Sequence, residues 1–223
     1  MEILIQHRFL DSIANAGPGN AFGIDSGANM NIGLNYALSD RLSAGIARTR
    51  FGQIIELSST YEILTAKDSK WKLALRGGVE GTQNFENEYS PSLQLMSSYD
   101  FGRVRMSLVP TMVFNSRPDS QLQYNRGNAI NPDSNHTFAL GLGTDIALSR
   151  RISLTAEYVP RLAGFGGFYE RLDQIAGGLV IRTWGHVFAI TVATSRDFTP
   201  ANYAVNAQGS DVSLGFNLYR RIR

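Results

Sequence analysis

The chain has 223 residues, of which 43% are hydrophobic and only 18% charged, so it reads as one folded domain and not as a disordered segment. Its 21 basic and 19 acidic residues leave a formal charge of +2, which gives no reason to expect a nucleic-acid surface, and the lack of cysteine excludes disulfides, thiolate metal sites and cysteine nucleophiles. No apolar run approaches the roughly 18–20 residues of a membrane-spanning helix.

Alternation of apolar with small or polar residues dominates instead. It predicts strands at 1–9, 28–38, 41–50, 53–64, 70–81 and 91–99, then at 102–115, 135–148, 151–161, 171–183, 186–196 and 210–221. In the second strand Met30, Ile32, Leu34 and Tyr36 alternate with Asn31, Gly33 and Asn35. In the ninth, Ile152, Leu154, Ala156 and Tyr158 alternate with Ser153, Thr155 and Glu157. Twelve strands, each near the length of a tilted membrane strand, suit a closed antiparallel up-and-down transmembrane β-barrel. The chain opens directly on a strand pattern, so an exported protein with this start has no signal peptide in the sequence given.

The connections alternate in length. Ser39-Asp40, 65–69, Asp100-Phe101, Ser149-Arg150 and Trp184-Gly185 are short. The segments 10–27, 82–90, 116–134, 162–170 and 197–209 are long and rich in Gly, Pro, Asn and Ser, and only the link at Phe51-Gly52 breaks the pattern. All tight turns then lie at one end. In outer-membrane barrels that end is periplasmic and the long loops are extracellular, which puts both termini in the periplasm.

The apolar face of such a barrel meets lipid and the other face lines the lumen. The second face here is small, with Gly33, Gly45, Ala47, Gly141, Gly143 and Gly178, where a solvated surface would carry more Lys and Glu. Aromatic girdles are expected at the headgroup levels. Tyr36, Tyr61, Trp71, Tyr99, Trp184 and Tyr219 form the expected girdle at the short-turn end. By phase, Arg8, Glu56, Arg76, Arg105, Asp145, Glu157 and Arg182 point inward. They are expected to make a charge network, with Arg76, Arg105, Asp145 and Glu157 joined near mid-barrel, because unpaired charges in a confined interior are costly. Arg48 and His7 fall on the lipid phase near the long-loop rim, and Pro110 on that phase predicts a bulge.

The motifs carrying a resemblance are His7-Arg8-Phe9, Phe22-Gly23-Ile24-Asp25, the run from Asn29 to Tyr36, Ser39-Asp40-Arg41-Leu42-Ser43, Gly45-Ile46-Ala47-Arg48 and the closing run from Leu214 to Arg221. With these the chain resembles an uncharacterised family of single-domain outer-membrane β-barrels from diderm bacteria, grouped as a domain of unknown function. The resemblance implies the barrel and its membrane, and no activity.

Catalytic candidates are weak. Ser134-Asn135-His136 holds the residue types of a barrel phospholipase, but neighbours in a strand point to opposite faces. Asp25, Asp119 and Asp133 are ordinary loop aspartates. Three scattered histidines make no metal site. The first functional reading is a non-enzymatic structural barrel of the envelope, its lumen filled by paired charges, with outer-membrane lipid around it and an envelope protein partner at its rim. The alternatives are a narrow passive pore for small polar solutes and, more weakly, an outer-membrane hydrolase. No cofactor, metal or nucleic acid is expected.

Overall fold

The computed structural model describes residues 1–64, 69–116, 136–164, 173–205 and 211–222. The strands are β1 (Glu2–Ser12), β2 (Ala28–Ala37), β3 (Leu42–Thr49), β4 (Ile55–Leu64), β5 (Trp71–Gly81), β6 (Asn87–Asp100), β7 (Val104–Val113) and β8 (Thr137–Ala147). They continue with β9 (Ile152–Val159), β10 (Arg161–Gly164), β11 (Gln174–Arg182), β12 (His186–Ala193) and β13 (Ser213–Arg221). Apart from β10, which follows β9 and pairs with β8, each strand pairs antiparallel with the next along the chain, β9 with β11, and β13 returns to β1, with Ile5 opposite Leu218, so the sheet closes. β9 and β10 form one stave: pairing to β8 keeps its register from Thr155 opposite Asp145 to Arg161 opposite Ala139. Proline has no N–H, and Pro160 marks the break between the two segments while its carbonyl still accepts from Leu140 N at 3.0 Å. The result is a closed antiparallel barrel of twelve staves, the number read from the alternation.

The apolar phase faces out. Ile32, Leu34, Leu57, Leu93, Leu142, Leu154 and Ile190 are all exposed on the barrel wall, in a chain of this size a band that only lipid would cover. Small residues inside let neighbouring staves and long side chains approach. A Cβ at Gly215 would stand 2.5 Å from the His7 carbonyl oxygen and 2.7 Å from Arg8 Cδ, so this glycine clears the path of the Arg8 side chain.

Two expectations at the wall change. The β6–β7 register runs without a shift past Pro110, the ladder merely skipping Leu95 and Met96, so the bulge predicted there is absent. On its other side Pro110 stays in register opposite Leu140, which confines the missing donor to one seam. His7 and Arg48 do lie outside: His7 stacks on Phe216, with ring centroids 4.8 Å apart, and Arg48 Nε donates to Asn84 Oδ1 at 3.0 Å.

The long connections carry short helices: α1 (Ile13–Ala16), α2 (Thr82–Phe85) and α3 (Pro200–Val205). α1 is capped by Ser12, whose hydroxyl accepts from Asn15 N at 3.2 Å, and it sits over the β1–β13 seam through Ile13 N donating to Val212 O at 2.8 Å. α3 takes a different path and defines the interior.

Candidate functional site

After β12, the described segment 194–205 folds into the lumen from the long-loop end. At its root Asn29 Nδ2 donates to the Arg196 carbonyl at 2.9 Å, and Arg196 Nε donates to Ser213 Oγ at 3.2 Å. It then crosses the interior. Thr199 Oγ1 donates to Glu80 Oε1 at 2.8 Å, and Ala201 N donates to Glu80 Oε2 at 3.0 Å. Glu80 stands on β5, about half the circuit from β13, so the crossing is wall to wall. Ala201 and Ala204 pack with Val113, Ala139 and Val159, the inward residues at the upper ends of β7, β8 and β9. Gln174 Nε2 donates to the Tyr203 carbonyl, and Tyr203 donates its hydroxyl to Glu157. Burial, and then the neighbouring Glu157 carboxylate, push the Tyr203 phenol well above its ordinary range, which keeps it a donor.

This crossing is absent from the sequence reading, which placed 197–209 among the exposed loops. One signal was available: Phe198, Ala201, Tyr203, Ala204 and Val205 make an apolar run where an exposed loop would be polar. Glu80, which anchors the crossing, has no role in that reading.

The inward charges do not form one network. Among the described residues, Arg76 Nη2 bonds Glu56 Oε1 at 2.6 Å and Arg76 Nη1 donates to Gln94 Oε1 at 2.9 Å; Gln94 Nε2 continues to Thr111 Oγ1 at 3.1 Å. Arg182 Nη2 bonds Asp145 Oδ2 at 2.7 Å and its other terminal nitrogen donates to Ser153 Oγ. Arg105 Nη2 bonds Asp100 Oδ2 at 3.2 Å beside a short turn. Glu157 meets Tyr203, and Arg8 Nη1 donates to Asn217 Oδ1 at 2.8 Å. Arg76, Arg105, Asp145 and Glu157 therefore belong to four separate groups, which corrects the expectation of a single mid-barrel network. Reach alone does not separate them: Arg105 stands directly opposite Asp145 on the neighbouring strand, yet it pairs with Asp100 beside the turn while Asp145 pairs with Arg182 and Glu157 meets Tyr203.

Arg76→Ala should show how tightly the first group is bound into the wall. It would leave Glu56 facing Glu80, its direct cross-strand neighbour, with no cation between them. Arg76 keeps some exposure, so the expected loss is about 1–3 kcal/mol, below the full cost of orphaning a buried charge. Urea unfolding in lipid vesicles followed by tryptophan emission measures it, and Glu56→Gln should lose less.

Among the described residues, two cavities lie in the lumen. One, of about 450 Å³, lies beneath the α3 crossing against Arg8, Glu157, Tyr203, Asn217 and Tyr219. The other, of about 620 Å³, is lined by Glu62, Lys72, Ala74, Ser98 and Arg105 towards the short-turn end. Arg105 and Ser107 line both. Tyr219 thus leaves the expected girdle: its strand phase points it inward. Tyr36, Tyr61, Trp71, Tyr99 and Trp184 are exposed on the outer side or the turns of the short-turn end, and Trp71 Nε1 is satisfied by Ser97 Oγ at 2.9 Å. Of the catalytic candidates, Ser134, Asn135, Asp119 and Asp133 lie outside the described residues. His136 accepts from Asn115 N at 3.3 Å, and no cluster that would hold a metal occurs among the described residues.

A closed twelve-stave barrel with an apolar outer band, a polar lumen and an inserted loop is an outer-membrane β-barrel. The chain belongs to the family described as "Membrane bound beta barrel domain (DUF5777)", which it matches over residues 1–222. Among solved structures it is similar to the NanC porin, with TM-score 0.65 at 8% identity and 100% of both chains covered. It is also similar to the KdgM porin in complex with disordered oligogalacturonate, with TM-score 0.62 at 7% identity and the same full coverage. The Acinetobacter baumannii outer membrane protein Omp33 aligns with TM-score 0.55 at 10% identity, over 99% of this chain and 97% of that one. These likenesses concern the fold. No curated protein sequence matches the chain.

Proposed function

We propose that the protein is a narrow, non-enzymatic pore for small polar solutes, with the α3 segment as its constriction. The observation that carries this reading is the pair of lumen cavities of about 450 and 620 Å³, which share Arg105 and Ser107 as a common wall below the crossing. A barrel plugged by its own charges would leave no such space, so the geometry favours a pore over the filled scaffold expected first. That two of its structural neighbours are porins agrees with this reading. No cofactor or protein partner is required by it. Proteoliposome swelling tests it: vesicles holding the folded protein should admit small polar solutes faster than protein-free vesicles and should exclude a large oligosaccharide. Equal rates with and without protein would leave the scaffold reading.

We also place the termini and short turns in the periplasm and the long connections outside. Tight turns and both termini share one end of the barrel, as in other outer-membrane barrels. A protease site inserted at Gly17–Asn20 should be cut in intact cells, and one at Ser39-Asp40 should be cut only after the outer membrane is opened. The reverse pattern would invert the assignment.

A further inference from the structure

We propose that the cavity beneath α3 is a binding site for small zwitterionic solutes of amino-acid size. This rests on the pore reading and names the solute class it would serve. Arg8 and Glu157 both line that cavity and make no direct ion pair. Opposite charges in a confined interior attract strongly and ordinarily close on each other. Here each is held where it stands. Arg8 Nη1 is fixed by Asn217 Oδ1 at 2.8 Å and by the His7 carbonyl at 3.0 Å, and the guanidinium lies over the Phe198 ring, 5.2 Å from its centroid. Glu157 is held by the Tyr203 hydroxyl.

The wall between them carries small side chains along one register row. From β1 to β9 the circuit runs through β13, β12 and β11, four inter-strand steps or about 19 Å at the usual spacing. The register sets Arg8 opposite Gly215, Gly215 opposite Thr191, Thr191 opposite Gly178 and Gly178 opposite Thr155, with Glu157 two residues further up the same stave. Gly215 lets the Arg8 side chain lie over it, and between Arg8 and Glu157 the cavity is lined by the small residues Ala189, Thr191, Ala176, Gly177 and Thr155. Thr191 Oγ1 is buried, lines the cavity and has no hydrogen-bond partner among the described residues. An occupant that fits carries a carboxylate for Arg8, an ammonium for Glu157 and a polar group for Thr191. The cavity volume lies within the range of small-molecule sites.

The test compares entry of serine, erythritol, lactate and ethanolamine into proteoliposomes, together with the melting midpoint of the purified protein in each solute. Serine should enter several-fold faster than uncharged erythritol and faster than either singly charged solute. Glu157→Gln, which retains an oxygen acceptor for Tyr203, and Arg8→Gln should each bring the serine-to-erythritol ratio towards one. Equal entry of serine and erythritol, or lactate or ethanolamine matching serine, overturns the zwitterion site and leaves the pore standing. If nothing enters but serine raises the melting midpoint of the wild type and not of Glu157→Gln, the site stands and the pore fails. If nothing enters and serine has no effect on melting, both fail.

Discussion

Replacing Thr199–Val205 with a short Gly-Ser link should raise single-channel conductance several-fold while leaving the barrel folded. The segment crosses between opposite walls and narrows the lumen near the long-loop end through Glu80, Tyr203 and the Ala201–Ala204 packing. None of those contacts contributes to the strand ladder that closes the barrel. Glu80→Leu should act in the same direction through a single side chain. It removes the acceptor for Thr199 and Ala201 N, and two buried donors left unpaired cost about 1–3 kcal/mol each, enough to favour release of the segment into water. Glu80→Gln keeps one carbonyl oxygen and should sit between wild type and Glu80→Leu. Planar bilayer recording of the three variants reads the order directly, and unchanged conductance in the deletion would remove α3 from the account.

Leu154→Arg should destabilise the barrel from its outer wall. Leu154 is exposed on the lipid face of β9, between Ile146 and Leu179 on the flanking staves. A charge on the lipid face costs about 2–4 kcal/mol at mid-membrane and less towards an interface, and Leu154 is the third residue of β9 from its short-turn end, so the expected loss is about 1–3 kcal/mol. Thr155→Arg, one residue on, points into the cavity and should cost much less. Ser153 is not a fair control, although it shares the inward phase, because it is fully buried against Arg182. The heat-modifiable gel shift of folded barrel, followed against urea in vesicles, compares the two. Equal loss at 154 and 155 would contradict the assignment of faces.

The wall was readable because its physics is periodic. Side chains alternate across a strand, so Ile152, Leu154 and Tyr158 on one phase and Ser153, Thr155 and Glu157 on the other assign both faces of β9 without any contact being known. The same phase marks Glu56, Arg76, Asp145 and Arg182 as inward. Their partners were not readable, because pairing depends on neighbouring staves and on side-chain reach: Arg182 meets Asp145 two staves away, across Ser153 of β9. Phase also carries Tyr219 inward, although aromatic type and position near a chain end suggested a girdle. The path of α3 was the least legible feature. No period governs a loop, and its course is set by a few contacts distant in sequence, chiefly Glu80 with Thr199 and Ala201, which become visible only once the barrel has closed.

The most direct measurement is the current through the purified wild-type protein in a planar lipid bilayer. A lumen crossed but not filled should give small, discrete and reproducible unitary steps, enlarged when the Thr199–Val205 segment is replaced. Folded protein that inserts and passes no current, with the segment present or removed, would contradict the pore.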